Sequence, residues 1–181
     1  AVAADYAFGP GKVAVLLGNG NGTFQAKVDY ATELGASSLA IGDLNADGKF
    51  DLVVANAASN SVSVFLGQGN GTFQAKVDYA TGTTPGSVAI GDLNGDGKPD
   101  LAIANRNIGT NTISVLFGNG NGTFQPKVDY ATGYRSFSVA IGDLNADGKP
   151  DLAVANAGSK TVSVFLGNGN GTFQAKVDYA T

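Results

Sequence analysis

Three short acidic segments carry residue types that could bind a hard divalent cation. Each reads Asp-Leu-Asn-x-Asp-Gly-Lys-x-Asp-Leu, and the copies begin at Asp43, Asp92 and Asp143. Calcium takes about six to eight oxygen ligands, and alternate residues of a tight loop can direct carboxylate, amide and carbonyl oxygens to one centre. The glycine at the sixth position lets the chain reverse sharply there because it lacks a Cβ. The spacing therefore predicts one calcium site per segment.

The predicted ligands are the first, third, fifth and ninth side chains of each segment and the carbonyl of its seventh residue. We expect three bound Ca²⁺ ions, held by Asp43, Asn45, Asp47, Lys49 and Asp51, by Asp92, Asn94, Asp96, Lys98 and Asp100, and by Asp143, Asn145, Asp147, Lys149 and Asp151. An EF-hand would need a glutamate at the twelfth position, where Val54, Ile103 and Val154 stand. The alternative, an acidic turn without metal, would crowd carboxylates with no counter-charge.

The acidic segments lie in a sequence that repeats every 49 to 51 residues. Short β-branched runs flank each segment and predict strands. In the last repeat the strands are expected at 138–144, 152–156, 161–166 and 176–181, with the acidic loop at 143–151. Four short strands in a unit of this length match one blade of a propeller. The sequence therefore predicts an all-β propeller of four-stranded antiparallel blades, with the acidic loop between the first and second strands.

The repeats divide the chain into one domain of three complete blades and one partial blade. The expected boundaries are 1–32 for the partial blade, then 33–82, 83–132 and 133–181. The first blade lacks an inner strand and an acidic loop. Propellers close into rings, so three alternatives are open: a fragment of a larger ring, a unit that closes by oligomerisation, and a distorted open or four-bladed object. We expect the chain to self-associate to complete the ring.

Composition excludes several classes of function. The chain has no His and no Cys, and Glu33 is its one glutamate, so catalysis would have to use aspartates already assigned to calcium and we predict no enzyme. Only Arg106 and Arg135 are arginines and no basic patch is evident, which argues against nucleic-acid binding.

No apolar run is long enough to span a membrane. Three bound Ca²⁺ ions would change the formal charge from −4 to +2.

The residues also resemble a known family. The run Gly-Asp-Leu-Asn-x-Asp-Gly-Lys-Pro-Asp-Leu, followed by Ala-Val-Ala-Asn and Val-Ser-Val-Phe-Leu-Gly-Asn-Gly-Asn-Gly-Thr-Phe, is similar to the FG-GAP/VCBS repeat of integrin α-subunit-like β-propellers. The resemblance covers the whole chain and implies a calcium-braced propeller of an extracellular or cell-surface protein, used in adhesion or recognition. The chain departs from the pattern in lacking Gly-Ala-Pro and in having Phe50 where the other two loops have proline.

Two kinds of link differ from blade to blade, whereas the acidic loops and Asn-Gly hairpins are nearly identical. One kind joins an outer strand to the next inner strand, at 33–37, 82–86 and 133–137. The other joins second and third strands, at 5–11, 57–61, 106–110 and 157–160. In an up-and-down blade both kinds emerge on one side, which we call the variable-loop face, and the acidic loops emerge on the other.

The variable-loop face is the expected recognition surface, since varied loops on a rigid scaffold commonly form binding sites. A protein or a glycan would bind there through the residues of greatest contact potential, Tyr6, Phe8, Arg106, Tyr134, Arg135 and Phe137. Three alternatives remain open: a lectin-like carbohydrate-binding propeller, a structural domain attached to an enzyme or adhesin outside this chain, and links that vary because nothing constrains them.

Overall fold

A computed structural model of the protein describes residues 2–4, 11–107, 109 and 111–181, with the backbone alone at 2–4. Every regular element in this part of the chain is a β-strand, and no helix in it is long and apolar enough to cross a membrane. The strands are β1 (Val2–Ala4), β2 (Lys12–Val15), β3 (Val28–Ala31), β4 (Ala36–Gly42), β5 (Asp51–Asn56), β6 (Ser61–Phe65), β7 (Val77–Ala80), β8 (Pro85–Gly91), β9 (Asp100–Asn105), β10 (Thr112–Leu116), β11 (Val128–Ala131), β12 (Ser136–Gly142), β13 (Asp151–Asn156), β14 (Thr161–Phe165) and β15 (Val177–Ala180).

The strands form one three-stranded sheet followed by three four-stranded sheets. Each sheet is antiparallel and its strands pair in chain order: β1 to β3, β4 to β7, β8 to β11 and β12 to β15. This confirms the predicted fold class. The last inner strand begins at Ser136 and not at residue 138, because a β-bulge between Ser136 and Ser138 shifts the register and extends the pairing with β13.

The sheets stack in sequence order as propeller-like blades. β4 packs against β8, and β8 packs against β12, while β1 contacts β4. No comparable contact joins the fourth sheet to the first among the described residues. The sheets therefore form an open arc.

Apolar side chains fill the junctions between neighbouring sheets. β5, β6 and β9 are buried along their whole length, as expected for Val- and Ala-rich strands covered on both faces. The junction of the second and third sheets, for example, holds Leu44, Val62, Ile103 and Phe124. The outer strands, of sequence Val-Asp-Tyr-Ala, are mostly exposed.

Each four-stranded sheet also buries an asparagine at the end of its second strand. The Asn56 amide donates to the Ser63 hydroxyl at 2.9 Å, and that hydroxyl donates to an oxygen of Asp78 at 2.6 Å. The same chain of hydrogen bonds recurs from Asn105 and from Asn156. It fixes the order of the second, third and outer strands with polar contacts inside an otherwise apolar junction.

Candidate functional site

The acidic loops join the first and second strands of the three four-stranded sheets, where the sequence places them. Within each loop the carboxylate of the first aspartate stabilises the turn by accepting hydrogen bonds from backbone amides. Oxygens of Asp43 accept hydrogen bonds from the amides of Asp47 at 3.2 Å and Gly48 at 2.8 Å, and Gly48 has a φ of 78°. Asp92 and Asp143 accept equivalent bonds. The loop is thus preformed by its own carboxylate.

The third and fifth residues continue this pattern. The side-chain oxygen of Asn45 accepts from the Asp47 amide at 3.2 Å, and a carboxylate oxygen of Asp47 accepts from the Lys49 amide at 2.9 Å. In the other two loops the hydrogen bond from the corresponding lysine amide is the main cause that lowers the pKa of Asp96 and of Asp147, against an opposing cost of desolvation. These carboxylates are therefore ionised at neutral pH, in the form that binds a hard cation.

The ninth aspartate of each loop is fully buried and ties the loop to the Asn-Gly hairpin beside it. The two oxygens of Asp51 accept from the amides of Leu44 and Gly67, both at 2.7 Å. Asp100 and Asp151 make the corresponding bonds. Sequence spacing predicts these residues as metal ligands, but nothing in the spacing reveals this anchoring role.

The three carboxylates of the second loop repel one another. Burial raises the pKa of Asp100, hydrogen bonds from the amides of Gly118 and Leu93 lower it, and the negative charges of Asp96 and Asp92 raise it again. This repulsion would be relieved by a cation among the three side chains.

The acidic loops supply the donor atoms of a metal site, but the structure does not gather them around one centre. No group of three or more acidic, His or Cys side chains in the described part of the chain is arranged to hold a metal ion. The carboxylates accept loop amides in this conformation. A carboxylate oxygen has two lone pairs, so one that accepts a single N–H can also bind a cation, and the donor set consists of the hard oxygens that calcium prefers. The residues therefore fit calcium by chemistry.

On the opposite side, both kinds of variable link lie together. The amide of Leu34 donates to Ser59 at 3.0 Å, and the amide of Tyr134 donates to Ser159 at 3.1 Å. Each contact joins a link before an inner strand to the turn that follows the second strand of the same sheet. Of the predicted ligand-binding residues, Tyr6 and Phe8 lie outside the described residues.

The other four predicted residues gather where the third and fourth sheets meet. The Arg106 guanidinium lies 5.2 Å from the centre of the Phe137 ring, and Phe137 is 55% exposed. The Tyr134 ring covers Gly158, where an added Cβ would come within 2.2 Å of the ring. The adjacent Arg135 has a φ of 58°, and its amide donates to Asn111 at 3.0 Å.

The backbone of this link is the same in each sheet, although its side chains differ. Gly35, Thr84 and Arg135 occupy equivalent positions, and all have positive φ. A positive φ is unusual for Thr or Arg and persists where the surrounding structure imposes it. The same backbone conformation therefore presents a threonine in one sheet, an arginine in another and no side chain at Gly35.

Lys160 is a further residue of this surface that the site prediction omitted. It lines, with Phe137 and Thr161, a depression of about 300 Å³ on the fourth sheet. Neither Lys160 nor Arg135 pairs with a carboxylate among the described residues. The sequence feature that could have identified Lys160 is that it is the one charged residue of the turn at 157–160.

Comparison with known proteins gives a family and a fold. The profile of a family described as the FG-GAP-like repeat matches residues 2–54, 43–103, 92–154 and 143–181. Among proteins with curated descriptions, no sequence matches this chain. A solved structure of an Agrocybe aegerita lectin, described as specifically recognising non-reducing terminal N-acetylglucosamine, is 22% identical with a TM-score of 0.61, over 93% of this chain and 46% of the lectin chain.

Two further solved structures overlap less well. The Photorhabdus luminescens Tc holotoxin pore is 16% identical with a TM-score of 0.47, over 99% of this chain and 9% of that one. The V. cholerae biofilm matrix protein Bap1 is 18% identical with a TM-score of 0.40, over 95% of this chain and 36% of that one. The chain thus spans less than half of each of these three chains.

Proposed function

Because the chain belongs to the FG-GAP-like repeat family, we propose that it is a non-catalytic, calcium-braced recognition module of an extracellular protein, and that it binds a glycan on its variable-loop face. The observation that carries this proposal is the cluster of aromatic and cationic side chains where the third and fourth sheets meet, in which Tyr134, Arg135 and Phe137 are exposed and Arg106 is half-buried. Calcium in the three acidic loops would stiffen the opposite face and so hold the scaffold rigid.

The chemistry of the cluster suits a sugar. Tyr134 and Phe137 are exposed aromatic residues, a residue type on which the apolar face of a pyranose can stack, and Arg106 and Arg135 supply planar donors for hydroxyl groups. The constrained backbone lowers the entropic cost of ordering these side chains on binding. That a lectin shares the fold gives independent support for a carbohydrate, although at this identity it supports no particular sugar.

A glycan array probed with the calcium-loaded protein tests the proposal. We expect Tyr134→Ala and Arg135→Ala each to weaken binding by about tenfold or more, as for an aromatic or arginine anchor. Phe50→Ala is the matched control, because Phe50 is an exposed aromatic residue at the acidic-loop face. If glycan binding survives both substitutions but is lost in Phe50→Ala, the site lies on the acidic-loop face and the proposal is wrong. If no glycan binds, the proposed class of ligand is wrong.

A further inference from the structure

The three junctions between neighbouring sheets share one aromatic contact, which we call the latch. A tyrosine of the outer strand of one sheet meets the edge of a phenylalanine from the Asn-Gly hairpin of the next. The pairs are Tyr30 with Phe73 at 5.3 Å, Tyr79 with Phe124 at 5.4 Å and Tyr130 with Phe173 at 5.1 Å between ring centres. In the first and third pairs the tyrosine hydroxyl also donates to a hairpin carbonyl, of Gly71 at 3.4 Å and Gly171 at 3.1 Å.

A second contact accompanies the rings. A large apolar side chain of one sheet packs on a hairpin glycine of the next, so closely that an added Cβ would come within 2.5 to 2.7 Å of it. The pairs are Leu17 with Gly71, Leu66 with Gly122 and Phe117 with Gly171. Each junction therefore joins a donor half, with the tyrosine and the large side chain, to an acceptor half, with the phenylalanine and the glycine.

The arc displays one unmatched copy of each half. On the fourth sheet the donor half consists of Tyr179, which is 57% exposed, and the half-buried Leu166, which holds the position of Leu17, Leu66 and Phe117. Leu144 on the same sheet is 54% exposed, although its counterparts Leu44 and Leu93 are 1% exposed. On the first sheet Phe24 is 53% exposed, and a Cβ at Gly22 would meet nothing within 4 Å. Large apolar side chains that are grouped on an exposed surface often mark an interaction site.

We propose that the donor half on the fourth sheet binds the acceptor half on the first sheet of a second copy, head to tail. The acceptor half has the chemistry that covers the donor half at all three junctions within the chain. A fourth sheet facing another fourth sheet would bring together two tyrosines with no hairpin glycine or phenylalanine. The charges agree as well, because the Lys176–Asp178 ion pair beside Tyr179 repeats the Lys76–Asp78 and Lys127–Asp129 pairs beside the internal latches.

Two copies joined in this way satisfy all four open halves. A head-to-tail contact either closes a ring or extends into a filament, and a ring of two is the smallest assembly that leaves no half exposed. Two copies also have about the length of the lectin chain, of which this chain covers 46%. The proposal is therefore a closed dimer with two identical junctions.

Light scattering and sedimentation over a wide range of concentrations test the assembly. We expect twice the chain mass of 18.1 kDa, and we expect Tyr179→Ala and Phe24→Ala each to raise the dimer dissociation constant by about tenfold or more. Both side chains are exposed within one chain, so these variants keep the fold, which circular dichroism checks. Phe50→Ala and Tyr134→Ala are controls that leave the mass unchanged, and Tyr134→Ala separates this result from glycan binding.

Mixing the two variants tests the polarity. A Tyr179→Ala copy keeps an intact Phe24 half, and a Phe24→Ala copy keeps an intact Tyr179 half, so their mixture restores one complete junction. We expect the mixture to associate more tightly than either variant alone. A monomer at all concentrations would overturn the proposal, and so would weakening by only one of the two substitutions or a mixture no tighter than its components.

Discussion

At the scale of single residues, the fifth and ninth aspartates of an acidic loop have different tasks. Asp51 is buried and accepts two backbone amides, whereas Asp47 is bonded only within its own loop, to the amide and side chain of Lys49. A buried amide left without an acceptor costs about 1 to 3 kcal/mol. The two residues can therefore be separated by experiment.

We expect Asp51→Ala to lower the free energy of unfolding by about 2 to 4 kcal/mol even with a calcium chelator present, since it strands the amides of Leu44 and Gly67. Asp47→Ala should change that free energy by less than about 0.5 kcal/mol in chelator and lower it clearly only when calcium is added. Urea denaturation of both variants in chelator and in calcium measures the difference. Equal losses in chelator would contradict the anchoring role of Asp51.

At the scale of elements, the start of each inner strand determines whether the buried asparagine beside it is fully bonded. In the fourth sheet the Ser136 hydroxyl lies 3.2 Å from the Asn156 side-chain oxygen and donates to it. Ala36 and Pro85 hold the equivalent positions opposite Asn56 and Asn105. The side-chain oxygens of those two asparagines have no hydrogen-bond partner among the described residues.

We expect Ala36→Ser to raise the free energy of unfolding by about 1 kcal/mol, because the new hydroxyl can donate to Asn56 as Ser136 does to Asn156. The reciprocal change, Ser136→Ala, should lower it by about 1 to 2 kcal/mol by leaving the Asn156 oxygen unpaired. Thermal and urea unfolding of the pair provide the measurement. If both substitutions raise the free energy of unfolding, or both lower it, this explanation is wrong.

Much of this architecture follows from local pattern. Alternation in Lys-Val-Asp-Tyr, the Asn-Gly hairpins and the acidic loops predict four strands per repeat, because each signal lies within a few residues. The bulge at Ser136 and the partner of each tyrosine do not follow from pattern: Tyr30 and Phe73 lie in different repeats, and only the packing of one sheet on the next brings them together. The same holds for Asp51, whose acceptor role requires a hairpin from another part of its sheet.

At the scale of the whole molecule, the two faces differ in charge. The nine aspartates and three lysines of the acidic loops lie at one face, and the links at the other carry Arg106, Arg135, Lys160 and Glu33. Calcium would neutralise the first face without touching the second. A bound metal would therefore alter the stability and net charge of the arc, and it would leave the chemistry of the variable-loop face unchanged.

The last prediction concerns calcium itself. We expect three Ca²⁺ per chain by calorimetric titration, with dissociation constants of roughly 0.1 to 1 mM as for extracellular modules. Millimolar calcium then contributes about 0.4 to 1.4 kcal/mol per site, and each kcal/mol should raise Tm by roughly 2 to 4 °C in a chain of this size. The formal charge passes from −4 to +2, so the direction of electrophoretic migration near pH 7 should reverse.

Two controls make this measurement specific to the loops. Magnesium demands an octahedral shell and loses water reluctantly, so at equal concentration it should raise Tm far less than calcium. Asp47→Ala should reduce the stoichiometry from three to two and leave the other loops intact, because all the predicted ligands of each site lie within one loop. A titration that shows no calcium binding, or a Tm that calcium and chelator leave unchanged, would mean that these loops are held by their internal hydrogen bonds alone.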